Sequence, residues 1–238
     1  MKEENKNKLQ DLAKKINVEV TKSQIEKYEE YINLLLEWNE KINLTAITEE
    51  NDIVIKHIID SITVLKYIEN KNIIDVGTGA GFPGIPLAIQ DKNAKITLLD
   101  SLNKRINFLN NVKEKLELNN IDTIHGRAED IGQNKEYREQ YDACVSRAVA
   151  NMSTLVEYLI PLVKVGGIII CMKGSDIEEE LNDAKTAISK LGGEIDKIDK
   201  ITLPGTDIIR NIIIIKKVKQ TSSTYPRKAG TPSKNPIK

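Results

Sequence analysis

Residues 73–84 read Ile73-Ile74-Asp75-Val76-Gly77-Thr78-Gly79-Ala80-Gly81-Phe82-Pro83-Gly84. A short apolar run gives way to closely spaced glycines. Pro83 and Pro86 then fit only the opening turn of a helix, where a missing N–H costs nothing. This is a strand, a tight turn and a helix start. Ile96 to Asp100 reads as the next strand, and Asn103 to Leu118 as an amphipathic helix with Ile106, Leu109, Val112 and Leu116 on one face. Strands are expected again at 121–125, 141–146, 167–173, 194–203 and 208–216, with helices at 154–163 and 177–191 between them. Nearly continuous apolar strands alternating with helices imply an α/β, Rossmann-like fold. Its seven-stranded, mostly parallel sheet is covered on both faces.

Upstream of this unit the texture is helical. Ser23-Gln24-Ile25-Glu26 fits a capping box, and Ile25, Tyr28, Ile32, Leu35 and Leu36 form a stripe that can dock on a core, with Trp38 near its end. Thr48 is the expected cap of a further helix through Ile53, Ile55 and Ile58, and residues 61–68 read as another helix or its continuation. The expected division is a helical extension at 1–70 packed on the core, the Rossmann-like domain at 71–219 and a basic tail at 220–238. With Pro226, Pro232 and Pro236 and no period, the tail reads as extended or mobile.

At roughly 150 residues per domain, 238 residues make one large domain or one with an extension. Hydrophobic residues at 40% exclude a disordered chain. The longest aliphatic runs fall far short of the roughly 18 residues that span a bilayer. The opening MKEENKNKLQ lacks the apolar stretch of a secretory signal, so a soluble, cytoplasmic protein with no membrane partner is expected. Cys144 and Cys171 lie in apolar strands away from any CxxC or histidine cluster; free buried thiols and no metal are expected. Formal charge is zero, yet residues 216–238 hold seven bases and no acid, leaving −7 elsewhere. Six arginines stand against 29 lysines, so a position that holds arginine is the more informative.

Doubly wound sheets bind ligands beyond the carboxyl ends of their strands. There the glycines let a ligand lie on bare backbone. Asp100 ends the second strand 23 residues after Gly77, where a carboxylate accepts hydrogen bonds from both hydroxyls of a ribose. A nucleoside cofactor is implied. Gly79 to Gly84 satisfies the GxGxxG dinucleotide pattern, but two details argue against NAD. Pro83 removes an N–H from the helix start that would hold a pyrophosphate. Asp75 places an acid towards the pocket, unsuited to phosphate and suited to an ammonium or a water network. The arrangement fits S-adenosylmethionine, a cation with a ribose and no phosphate.

The segments DVGTGAGFPGIPLAI from Asp75, LLDSLNKRINFL from Leu98, GRAED from Gly126, SRAVA from Ser146 and MKG from Met172 resemble one bacterial family. It is the small-subunit ribosomal RNA guanine-N7 methyltransferase family RsmG, formerly glucose-inhibited division protein B. Asn43-Leu44-Thr45-Ala46, His57 to Ser61 and Tyr225 to Gly230 are similar to it too, so the resemblance covers residues 20–238. It implies a class I S-adenosylmethionine-dependent methyltransferase fold, with Gly77 and Phe82 lining the cofactor pocket. It further implies that Ala128 and Glu129 flank the adenine and that Arg147 faces cofactor and active site. The implied partner is 16S rRNA or the small ribosomal subunit, and the implied state a monomer.

Guanine N7 already has an in-plane lone pair, so its methylation needs no general base. The chain agrees, lacking an NPPY-type motif and a Pro-Cys at a strand end. Orientation would carry the rate, and no catalytic base is named. Three rivals differ in class: an NAD-dependent oxidoreductase, a methyltransferase of small molecules or protein, and a non-catalytic regulator. Other residues have two readings. His57 is a structural or surface histidine, although by resemblance its motif falls near the pocket. Lys173-Gly174 is an RNA contact or a plain strand-end turn, and Arg105 belongs to a solvated face. The tail bases, with Tyr225 for stacking, suit RNA phosphates.

Overall fold

The computed structural model describes every residue except Asn70 and Ala148. The expected boundary at residue 70 and the middle of the SRAVA motif therefore lie outside the described residues. The extension opens with α1 (Glu3–Lys14) and α2 (Lys22–Ile42). Thr21 rather than Ser23 caps α2: its side chain accepts from the Gln24 N–H, and the Gln24 side chain bonds back to the Thr21 backbone. The earlier start also lets Gln24 Nε2 donate to the carbonyls of Ile89 and Gln90 at 3.1 and 3.3 Å, tying the helix to the sheet domain. A short α3 (Glu50–Ile53) widens into a π-helical turn (Val54–Ile59) and closes as α4 (Asp60–Ile62). Glu49, not Thr48, precedes it, with no side-chain cap. Packing holds this segment instead, with Ile53, Ile58 and Ile59 fully buried. Each contributes roughly 1.5–3 kcal/mol before entropy is counted.

The remainder runs β1 (Asn72–Val76), α5 (Gly84–Gln90), β2 (Lys95–Asp100), α6 (Asn103–Lys115), β3 (Ile121–His125), α7 (Ala128–Gln133), β4 (Tyr141–Arg147), α8 (Met152–Leu159), β5 (Val163–Lys173), α9 (Glu178–Leu191), β6 (Gly193–Thr202), β7 (Ile209–Lys217) and α10 (Thr231–Lys234). The strands form one seven-stranded sheet in the order β3-β2-β1-β4-β5-β7-β6. β1 to β5 are mutually parallel, and β7 runs antiparallel between β5 and β6.

Successive strand residues serve opposite faces. Ile73, Val145, Ile212 and Ile214 join one core with Tyr28, Tyr31 and Ile58 of the extension. Ile74, Cys144, Cys171, Ile213 and Ile215 join a second under α8 and α9. Two buried faces are why β1, β4 and β7 read as nearly unbroken apolar runs. Both cysteines are free and fully buried; burial pushes the Cys171 thiol up to about 12 and raises Cys144 as well. Among the described residues no helix is long and apolar enough to cross a membrane, and no group of His, Cys, Asp and Glu could hold a metal.

The tail is not extended or mobile. Arg138 clamps it, donating from Nη1 to the Tyr225 carbonyl and from Nη2 to those of Thr221 and Ser222, all within 3.1 Å. Arg227 then meets Glu157, a fully buried carboxylate of α8, with Nε–Oε1 at 2.9 Å and Nη2–Oε2 at 2.7 Å. Pro232 and Ile237 are buried beyond it. These contacts join residues distant in sequence and largely use backbone carbonyls, so no periodicity announces them. Several of the basic residues are also engaged internally. Lys217 lies buried in β7 against Glu139, the Ile160 carbonyl and Thr221, and Lys216 pairs with Asp196. Lys219, Lys228, Lys234 and Lys238 are exposed.

Candidate active site

After Val76 the chain turns through Gly77, Gly79 and Gly81, at φ of +69°, +63° and +98°, a region in which side chains strain the backbone. The turn is anchored on β2: Gly77 and Thr78 donate to the Leu99 carbonyl at 2.8 and 3.1 Å, and Gly79 donates to Asp100 Oδ2 at 3.0 Å. Tyr31 of α2 holds it from the other side by donating to the Ala80 carbonyl at 2.6 Å. Asp75 does not face the pocket. It lies fully buried beneath the turn, its Oδ2 accepting from the Thr78 hydroxyl at 2.6 Å and the Gly84 N–H at 2.8 Å. The free donors of the turn and of the helix start draw the carboxylate inward. Burial pushes its pKa up to about 6 against those two hydrogen bonds.

Beyond the strand ends lies a cavity of about 590 Å³. Gly77, Phe82, Asp100, Ala128, Glu129 and Arg147, the six residues named from the sequence, all line it. Asp100 is almost fully engaged already, with Leu102 N–H on Oδ1 at 2.9 Å and Gly79 N–H and Arg105 Nη1 on Oδ2. Arg105 is thus not on a solvated face; its fork is drawn to the buried acid. A Cβ on Gly77 would stand 2.6 Å from Val149 Cγ2, so this glycine permits close packing of the β4 loop. Lys173 donates to the Ala150 carbonyl and to Glu180, at 2.6 and 2.5 Å, and so steadies that same loop.

Arg147 emerges from the end of β4 into a network shared with the extension. Its Nη1 donates to the Lys56 carbonyl at 3.1 Å and to Asp60 Oδ2 at 3.2 Å, while Nη2 stands 3.1 Å from His57 Nδ1. Asp60 is buried and also accepts from Arg210 Nε at 3.1 Å, so one carboxylate holds two guanidinium groups. His57 stacks on Phe82 with ring centroids 4.3 Å apart, and the Arg147 guanidinium lies 5.2 Å from the same ring. Burial, then the Arg147 charge, pushes the His57 pKa down to about 3. This histidine is a neutral part of the cavity wall.

Leu44, Thr45, Tyr158, Gly230 and Ser233 also line the cavity and were not assigned from the sequence. Gly230 N–H donates to Glu129 Oε1 at 2.8 Å, so the tail completes the wall on the α7 side. Its approach needs Gly132, where a Cβ would meet Pro226 Cγ at 2.8 Å.

A family described as GidB, rRNA small subunit methyltransferase G, matches residues 24–210. The chain belongs to this family. Curated relatives match along almost their whole length. "Ribosomal RNA small subunit methyltransferase G" of Alkaliphilus oremlandii is 55% identical over 97% of this chain and 98% of its own. The protein of the same name from Desulforamulus reducens is 52% identical over 96% of this chain and 97% of its own. Among solved structures, M. jannaschii TYW2 in complex with AdoMet superimposes with a TM-score of 0.54 at 16% identity, over 68% of this chain and 76% of that one. A SAM-dependent methyltransferase from Aquifex aeolicus gives 0.52 at 15%, over 69% and 92%. The fold of this methyltransferase G family member is the class I S-adenosylmethionine-dependent one, and S-adenosylmethionine is its cofactor.

The cavity fits that cofactor chemically. Asp100 and Glu129 supply carboxylates for hydroxyl or amine donors, and Leu44, Phe82, Leu99 and Val149 supply apolar wall. A Cβ on Gly79 would meet nothing nearer than a carbonyl at 4.0 Å, so bare backbone faces open space. Lysine is absent from the described lining, as suits a cofactor without phosphate.

Proposed function

We propose that this protein transfers a methyl group from S-adenosylmethionine to N7 of a specific guanosine in 16S small-subunit rRNA, as a cytoplasmic monomer. The names and near-complete coverage of the curated relatives support the RNA substrate. The observation that carries the N7 reading is that, among the described residues, every histidine and carboxylate of the cavity wall is engaged within the protein or needed by the cofactor, leaving none as a general base. His57 uses both ring nitrogens within the protein. The Asp100 oxygens hold two backbone N–H groups and Arg105, and Glu129 holds the tail. An exocyclic amine or a carbon acceptor would need a base; N7 offers its lone pair without one.

S-adenosylmethionine, when bound, supplies an electrophilic methyl group on a sulfonium centre. The protein's part is orientation and exclusion of water. Gly77, Phe82, Ala128 and Glu129 would hold the cofactor, and Asp100, its ribose. Arg147, fixed by Asp60 and His57, would keep the Phe82 ring in place beside the acceptor base. Side chains cannot read the deep, narrow major groove of A-form RNA, so the target guanosine lies in a loop or is extruded from its stack.

The test is incubation of the purified protein with methyl-labelled cofactor and small subunits from a strain lacking it, followed by nuclease digestion and mass mapping. Label in 7-methylguanosine at one 16S position is the expected result. Label in another nucleoside, in large-subunit RNA or in protein overturns the reading.

A further inference from the structure

The extension contributes a hydroxyl to the cavity wall, Thr45, whose hydrogen-bond polarity is fixed from behind. An arginine guanidinium only donates, so the 3.1 Å contact from Arg147 Nη2 requires a bare lone pair on His57 Nδ1. The single proton of a neutral imidazole then sits on Nε2, which donates to Thr45 Oγ1 at 2.9 Å. Ile47 N–H donates to the same oxygen at 3.0 Å. Both lone pairs of Oγ1 are filled. The hydroxyl proton can only be given away, and among the described residues nothing accepts it. Thr45 lines the cavity, so the relay from Arg147 through His57 ends in a hydroxyl donor on a residue of its wall. The downward shift of His57, caused first by burial and then by Arg147, agrees with its neutral state.

The reading above puts guanine N7 at the reacting centre, and this step rests on it. On that edge guanine presents two adjacent acceptors, N7 and O6, whereas adenine presents N7 beside an amino donor. N7 must stay bare to react, which leaves O6 as the atom for a protein donor. We infer that the Thr45 hydroxyl donates to O6 of the target guanine and so selects guanine over adenine. An adenine amino group in that place would meet a donor. Thr45 cannot adapt by turning its oxygen, because the oxygen is already saturated by His57 and Ile47.

The experiment compares the wild type, Thr45→Val and Thr45→Ser on small subunits whose rRNA carries either guanine or 2-aminopurine at the mapped position. 2-Aminopurine keeps N7 and lacks the 6-oxo group. With guanine, Thr45→Val should lose roughly tenfold in kcat/KM, the worth of one hydrogen bond, and Thr45→Ser should retain near wild-type turnover. With 2-aminopurine, wild type and Thr45→Val should be equally slow. S-adenosylmethionine affinity, measured by titration calorimetry, should be the same in all three. Thr45→Val at the wild-type rate on guanine overturns the inference. So does an equal loss on both bases, which marks a structural role, or weakened cofactor affinity, which gives the hydroxyl to the cofactor. Failure of the N7 reading looks different: the wild type itself then yields no 7-methylguanosine.

Discussion

Arg227→Ala removes the fork that neutralises Glu157. The acid is fully buried, and three of the four hydrogen bonds Arg227 gives it come from the side chain; the fourth, from the Arg227 N–H at 2.8 Å, survives. Leaving such a carboxylate buried without its partner costs on the order of 3–5 kcal/mol. The protein has a cheaper escape, which is to let the tail go and admit water to Glu157. Release forfeits burial of Ile237, about 1.5–3 kcal/mol, and the Gly230–Glu129 hydrogen bond, about 0.5–1.5 kcal/mol, part of which regained chain entropy offsets. The smaller cost governs, so the expected destabilisation is about 2–3 kcal/mol, or about 4–12 °C in melting temperature for a chain of this size. Because Gly230 holds Glu129 and lines the cavity, S-adenosylmethionine affinity should fall roughly three- to tenfold, one ordinary hydrogen bond's worth. Thermal melts with and without cofactor, calorimetry and limited trypsinolysis at Lys228 and Lys234 measure the three consequences. Arg227→Lys should fall between, keeping charge and losing the fork. If Arg227→Ala melts with the wild type and binds cofactor equally well, the pair does not hold the tail and the cavity wall does not depend on it.

Asp100→Ala should weaken S-adenosylmethionine binding by about 1.5–3 kcal/mol, both through the ribose and through the freed Gly79 N–H; unchanged affinity by calorimetry removes Asp100 from the cofactor site. Arg147→Lys keeps the charge but cannot serve Lys56, Asp60 and His57 together, so kcat/KM on small subunits should drop at least tenfold, by the about 1.5–3 kcal/mol of a charged hydrogen bond. An unaltered rate refutes its orienting role. His57 has a folded pKa of about 3 against about 6.5 unfolded, so the unfolded chain binds the extra proton. Its contribution to stability is therefore complete above pH 6.5 and is lost progressively as pH falls towards 3. Urea unfolding of His57→Gln at pH 7, 6 and 5 should show a flatter acid slope than the wild type, and equal slopes would place His57 in water.

The central strands were legible because both faces of each are buried, so Ile73-Ile74 and Ile212 to Ile215 could be nothing but apolar, whereas β3 and β6 at the sheet edges are largely open to solvent. Their order was less legible, since β7 enters between β5 and β6 through pairing that leaves no mark on either run. At the site the glycines and Asp100 announced themselves by spacing. Asp75 misled, because a turn rich in free N–H groups competes for a carboxylate that the spacing alone assigns to a ligand. Thr45 lay in the family-like segment Asn43 to Ala46, but the segment gave no role for it; that depends on a histidine twelve residues on and an arginine at the end of β4. Scarcity of arginine proved a useful guide. Arg105, Arg138, Arg147, Arg210 and Arg227 each place the planar group where a carboxylate, an imidazole or several carbonyls converge. A lysine ammonium, a compact point charge, lacks the planar fork that spans those acceptors.

The two thiols turn the sheet into its own recording device. Cys144 on β4 and Cys171 on β5 sit at the centre of the strand order, sealed beneath α8 and α9. An alkylating reagent reaches them only when those helices lift from the strands, and only the thiolate reacts. Pulse alkylation therefore clocks the opening of the middle of the molecule, while fraying at its edges passes unrecorded. Added S-adenosylmethionine should slow the modification in proportion to its occupancy wherever the opened form cannot bind it, giving a dissociation constant without any label on the cofactor.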